Sequence, residues 1–144
     1  MNNRSEIQDL AKIRLQEARV LFQNQLYDGC VYMAGYAVEL ALKVVICKTL
    51  EIDNLFDGNF TQAKNFKTHN LSDLLVLSGL YTKIENEKLQ NSPFFNQWSN
   101  VQSAWSERLR YQSVGTTNRT DAERLLNAID HPSQGVLQWI QKYW

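Results

Sequence analysis

The longest apolar stretch of the chain, residues 29–48, reads GCVYMAGYAVELALKVVICK and is hydrophobic on every side of a helix. Such a helix must be enclosed by other elements or by lipid. Crossing a bilayer takes about 20 apolar residues, and Glu39 and Lys43 interrupt this run near its middle. It therefore reads as the central, buried helix of a soluble bundle, with no membrane association expected. Upstream, Ile7, Leu10, Ala11, Ile13, Arg14, Ala18, Leu21 and Phe22 form an amphipathic stripe whose other side is charged. Ser5 and Gln8 have capping-box spacing, which predicts a helix from there to about Gln25. The short link Leu26-Tyr27-Asp28-Gly29 makes these two helices antiparallel neighbours.

Helical periodicity fails over residues 51–68, where Asn54, Asp57, Gly58 and Asn59 form a loop that Leu55, Phe56, Phe60 and Phe66 can tack onto the bundle. Asn70, with Asp73 three residues on, caps a short helix, LSDLLVLSGL, and a second short helix covers residues 82–89. Ser92-Pro93 then precedes a main helix over residues 94–107, with Phe95, Trp98, Val101, Ala104 and Trp105 on one side. RLRYQSVGTTNR reads as a loop. Thr120 and Glu123 form another capping-box pair, opening a helix through Ile129 that Pro132 ends or kinks. Residues 135–144 resume with Val136, Leu137, Trp139 and Ile140. Trp98, Trp105, Trp139 and Trp144 fall at helical spacings, as core or dimer-interface anchors. Trp144 frays unless it docks, which favours an oligomer. The expected fold is all-α: an antiparallel up-and-down bundle of four to five main helices plus short ones, in one domain over residues 1–144.

The polar residues of the central helix are not scattered. At about 100° per residue, Tyr32, Tyr36, Glu39 and Lys43 fall within roughly 60° of one another. Glu39 and Lys43 stand at i,i+4 with the acid on the favourable N-terminal side. Leucine or valine would pack there without desolvation cost. The stripe is thus either a structural ion pair satisfied by neighbouring helices, or a ligand or partner surface.

Charge narrows the partners. Fifteen basic residues balance fifteen acidic ones, which removes a global electrostatic case for tight nucleic-acid binding and leaves Arg108 with Arg110 as the best local patch. The two cysteines, Cys30 and Cys47, sit on one helix roughly 25 Å apart, too far to pair within one chain, and read as reduced thiols of a cytoplasmic protein. The polar N-terminal stretch is not a signal peptide. His69 precedes the Asn70 cap and reads as a side chain finishing a helix start. It lacks zinc-type partners, so neither a metal nor a cofactor is expected. Arg110 and Tyr111 suit a phosphate and a base respectively, by bidentate hydrogen bonding and stacking. Arg110 can equally pair with Glu39, and the two roles are compatible.

Four pieces in order, LYDGCVYMAGYAVELALKVVI, THNLSDLLVL, RLRY and T-D-A-E, together span nearly the whole chain, which resembles the HEPN domain family. The Tyr-x-x-x-Tyr-x-x-Glu-x-x-x-Lys stripe is the most specific of them. The resemblance implies a small helical bundle with a nucleotide- or RNA-associated role, commonly dimeric. Many members are metal-independent ribonucleases of toxin–antitoxin and defence systems, and others pair with a minimal nucleotidyltransferase. The ribonuclease subset carries Arg and His separated by four to six residues. Arg108 and Arg110 have no such histidine. Arg124 and His131 have the spacing, but Leu125 is apolar where the pattern prefers a polar residue, and Pro132 follows immediately. On a straight helix the two lie about 10 Å apart.

The expectation is therefore a non-catalytic or partner-dependent module for nucleotide, RNA or a nucleotidyltransferase partner, acting as a homodimer. Its face would comprise Tyr32, Tyr36, Glu39, Lys43, His69, Arg108, Arg110 and Tyr111. The alternative is a metal-independent endoribonuclease toxin using Arg124 and His131.

Overall fold

A computed structural model describes residues 3–144. Along the chain come α1 (Arg4–Gln23), α2 (Tyr27–Leu50), a 3-10 turn (Thr61–Phe66), α3 (Leu71–Leu77), α4 (Tyr81–Gln90), α5 (Ser92–Ala104), a second 3-10 turn (Glu107–Tyr111), α6 (Arg119–Asp130) and α7 (Val136–Gln141). The described residues contain no strand. The all-α expectation holds, with α1, α2, α5 and α6 as the long helices.

Local capping differs from the expected pairs. Asn3, not Ser5, caps α1: its side chain accepts from the Glu6 N–H at 3.0 Å while the Glu6 carboxylate accepts from the Asn3 N–H at 3.2 Å. Asn118, not Thr120, caps α6 by accepting from the Asp121 N–H at 2.8 Å. Asparagine serves as well as serine or threonine at this position, because all three place an oxygen over the free N–H groups of the first turn. α1 stops at Gln23, and the turn lies at Asn24–Leu26 with Gln25 in the left-handed region at φ 61°, so α2 begins earlier than expected, at Tyr27.

The two long helices run antiparallel. The Arg4 N–H at the start of α1 donates to the Asp53 carbonyl just beyond α2, at 2.9 Å. Ile7, Ala11, Leu15 and Ala18 bury one face of α1, while Ile13, expected on that face, is 48% exposed. α2 has α1, α3, α6 and α7 packed around it. By length and composition it could cross a membrane, but 83% of its most apolar stretch is buried inside the protein. Each fully buried aliphatic side chain there, Val38, Leu40, Leu42, Val44 and Ile46 among them, contributes about 1.5–3 kcal/mol.

One close contact redirects the chain. α5 ends at Ala104 instead of continuing to residue 107, and Trp105 turns extended. Its indole lies on α2 at Gly35, where a Cβ would overlap the ring, and its Nε1–H donates to the Tyr32 carbonyl at 3.1 Å. Glycine is required for that approach. The contact brings Glu107–Tyr111 across the polar stripe of α2 as a 3-10 turn, where Glu107 was expected to end the helix and Arg108–Tyr111 to be plain loop. The face of α5 is also rotated from the expected one: Phe94, Trp98 and Val101 are buried, Phe95 is half-buried and Ala104 is exposed. Phe94 stacks on Trp139 with ring centres 5.0 Å apart.

Loops are fastened by specific groups. Leu55 and Phe56 are buried in the core, as expected, and the 51–68 segment includes the first 3-10 turn. The Asp28 carboxylate accepts from the Gly115 and Thr117 N–H groups at 2.7 and 2.8 Å, tying the loop before α6 to the start of α2. Trp144 is docked within its own chain, donating from Nε1 to the Ala41 carbonyl at 3.3 Å, so it supplies no argument for an oligomer. Cys30 and Cys47 are buried free thiols, each pushed up to about 11 by burial.

Candidate ligand-binding site

Glu39 is 1% exposed and Lys43 5%, yet both are polar residues in the centre of the apolar helix. The i,i+4 spacing sets Lys43 Nζ 2.7 Å from Glu39 Oε1. The ammonium also lies 5.3 Å over the Phe56 ring, a cation–π contact made by the long loop. The pair is nearly dry, so each charge depends on the other for its solvation.

The same carboxylate oxygen meets a second nitrogen, which the pattern of α2 alone does not disclose. His69 Nδ1 stands 2.9 Å from Glu39 Oε1. Asn70 caps α3 by itself, accepting from the Asp73 N–H at 3.0 Å, so His69 is not a helix-start residue as expected. Its side chain is 45% exposed, and its other nitrogen, Nε2, lies 3.4 Å from Glu107 Oε2. That oxygen in turn stands 3.8 Å from Arg110 Nη2. Lys43, Glu39, His69, Glu107 and Arg110 thus form one continuous chain of polar groups, from the core outward to solvent.

Arg110 does not pair with Glu39, as the sequence allowed. His69 takes that position, because the 3-10 turn leaves Arg110 on the outer side of Glu107. Its guanidinium lies 4.9 Å over the Tyr111 ring. Tyr111 above all, with Tyr32 and Glu107 adding to it, raises the guanidinium above its ordinary value. Tyr32 and Tyr36 stack with centres 6.2 Å apart, and Trp105 lies 6.2 Å from Tyr32. Burial, and then the Glu39 charge, push the Tyr36 phenol upward, which keeps it a neutral hydrogen-bonding group. Arg108 is exposed on the same turn.

The structure therefore gathers Tyr32, Tyr36, Glu39, Lys43, His69, Arg110 and Tyr111 into one region. It adds Glu107, which sequence reasoning missed although its i,i+3 relation to Arg110 was visible. It adds Gly35 and Trp105 as the contact that holds the turn in place. A lone glycine inside an apolar helix was the available signal for that contact. Chemically, the region offers cationic donors, ring faces and a histidine oriented by a buried carboxylate. Among the described residues, no group of three or more His, Cys, Asp or Glu side chains is placed to hold a metal ion.

Arg124 and His131 are not brought together. Arg124 lines a cleft with Asn100, Ser103, Thr116 and Asp121, its guanidinium 3.8 Å from the Asp121 carboxylate. His131 lines a separate cleft with Lys12, Arg19 and Gln138. Its Nδ1 accepts from the Ser133 and Gln134 N–H groups at 3.1 and 3.0 Å, so the ring closes the turn after α6. Beside Tyr36, α1 and α2 enclose an apolar groove of about 590 Å³ lined by Ile13, Val20, Leu21 and Met33. The Arg14–Glu17 ion pair also lines it.

A family model described as HEPN domain matches residues 7–53, covering most of α1 and all of α2 with the polar stripe. His69 and the Glu107–Tyr111 turn lie outside the matched segment. No curated protein and no solved structure matches the chain.

Proposed function

We propose that this chain, which matches the HEPN domain model over residues 7–53, is a HEPN-domain protein and acts as a non-catalytic, partner-dependent module that binds nucleotide or RNA phosphate. The observation that carries the reading is the Lys43–Glu39–His69–Glu107–Arg110 array flanked by tyrosine rings. An arginine at the solvent end suits a phosphate oxygen, and exposed aromatic faces suit a base. The Arg124–His131 pair, divided between two clefts, supports binding over the ribonuclease alternative. The module would act in a toxin–antitoxin or defence setting, in the cytoplasm, with a minimal nucleotidyltransferase as partner. The apolar groove beside Tyr36 supports a protein contact next to the ligand face, in keeping with a homodimer.

Fluorescence anisotropy with labelled single-stranded RNA and with a labelled adenine nucleotide tests this reading. Arg110→Ala is expected to lose binding while keeping the parent's thermal stability, and unchanged binding by that variant refutes the site. A parallel incubation of unlabelled RNA in EDTA is expected to show no cleavage. Cleavage by the parent that His131→Ala abolishes would establish the ribonuclease reading instead.

A further inference from the structure

Resting on that reading, we infer that the position between His69 Nε2 and Arg110 is a phosphate subsite that the chain's own Glu107 carboxylate fills until a nucleotide phosphate displaces it. Three observations converge on it.

The first is geometric. A single oxygen, Glu107 Oε2, faces both groups, 3.4 Å from Nε2 and 3.8 Å from Nη2. Charge-assisted N–H···O bonds close to about 2.7–2.9 Å when the geometry is good. Glu39 and its partners, by contrast, stand at 2.7 and 2.9 Å. The Glu107 carboxylate thus occupies a two-donor position without closing on either donor. It sits on a short 3-10 turn and is 39% exposed, so it can swing into water at small cost.

The second is how the anions are already shared out. Glu39 is taken up by Lys43 and by His69 Nδ1, at 2.7 and 2.9 Å, which leaves Nε2 and the Arg110 guanidinium facing Glu107. An anion that enters between His69 and Arg110 therefore has the Glu107 carboxylate to displace and the tightly held Glu39 to leave in place. A phosphate ester replaces the Glu107 charge like for like and offers several oxygens where the side chain offers one.

The third is what surrounds the subsite. Tyr111, 78% exposed, lies against Arg110, and Tyr32, which stacks with Tyr36, hydrogen-bonds the same guanidinium. Exposed ring faces next to a phosphate position suit a base carried on that phosphate. The shared chemistry is a nucleotide phosphate, whether a free mononucleotide or one residue of a single strand.

Calorimetric titration of the full chain with AMP, with adenosine and with a short single-stranded oligoadenylate tests the subsite. Glu107→Gln keeps the side chain's size and removes its charge. It is expected to tighten AMP, the oligonucleotide or both by about tenfold, the effect of about 1.4 kcal/mol of relieved competition. Arg110→Ala added to Glu107→Gln is expected to abolish the gain, and adenosine is expected to gain nothing. Tightening of AMP identifies a free nucleotide as sufficient, whereas tightening of the oligonucleotide alone identifies a strand. Parent binding that depends on Arg110 but is unchanged or weakened by Glu107→Gln overturns the inference and leaves the binding site standing. A gain shared by adenosine also overturns it. Binding of neither phosphate probe by any variant removes both the subsite and the function proposed above.

Discussion

Removing Glu39 is the most informative single perturbation of the fold, because its cost separates a dry ion pair from a wet one. In Glu39→Leu the Lys43 ammonium, 5% exposed and 2.7 Å from the carboxylate that is removed, is left in apolar surroundings. Breaking one side of a buried pair costs about 3–5 kcal/mol. A ceiling follows from chemistry. Ordinary lysine titrates near about 10.4, so shedding the proton at pH 7 limits the penalty to about 5 kcal/mol. Against a typical domain stability of about 5–15 kcal/mol this is severe, amounting to a fall in Tm of roughly 10–20 °C. The pair itself is different. Replacing both members, as Glu39→Leu with Lys43→Met, removes two desolvated charges together and fills the space with apolar groups. Such exchanges are neutral or stabilising by about 1–4 kcal/mol. His69 loses its Nδ1 acceptor in both variants, but the half-exposed ring can turn to water.

Urea unfolding followed by far-ultraviolet circular dichroism reads these differences, provided the slope with denaturant is unchanged among variants. The expected result is a strongly destabilised single variant and a double variant within about 1 kcal/mol of the parent or above it. A double variant as unstable as the single one would falsify the claim that these charges compensate each other in a dry site. A stable double variant that no longer binds nucleotide or RNA would show that the pair is kept for the site and not for stability.

Three further outcomes follow from particular contacts. Gly35→Ala is expected to cost about 2–4 kcal/mol despite alanine's higher helix propensity, because the new methyl expels the Trp105 indole; the tryptophan emission should shift to the red, and an unshifted spectrum with parent stability would contradict the contact. Two backbone N–H groups hold the Asp28 carboxyl below its ordinary range, so its contribution is present above the ordinary carboxylate pKa and is lost as pH falls through the lower folded value. Asp28→Ala should cost about 1 kcal/mol and speed amide exchange at Gly115 and Thr117. For Cys30 and Cys47, burial raises the thiol pKa to about 11, so the native state holds protons that the unfolded chain gives up from about 9 upward. Stability should therefore fall between those values by about 1.4 kcal/mol per pH unit and thiol. Neither thiol should react with a thiol reagent at neutral pH until urea unfolds the chain, and rapid labelling of the native protein would contradict their burial.

Period and composition were enough to find what depends on neighbours in sequence. An apolar run without a polar face forces α2 into the middle of a bundle, and the i,i+4 spacing of Glu39 and Lys43 sets their bond before any other helix is placed. The most specific of the four pieces behind the HEPN resemblance lies on this helix, and the match at residues 7–53 includes it. Caps were found to within a few residues, since several polar side chains near a helix start can serve, and only the backbone path selects Asn3 or Asn118. Tertiary structure alone decided what meets the stripe. His69 is 30 residues from Glu39, and Glu107 is farther still. Their meeting depends on a loop folding back and on one indole resting on one glycine, contacts with no period to read. The same reason divides Arg124 from His131: seven residues apart in sequence, they are sent to different clefts by the end of α6 and the turn that His131 itself closes.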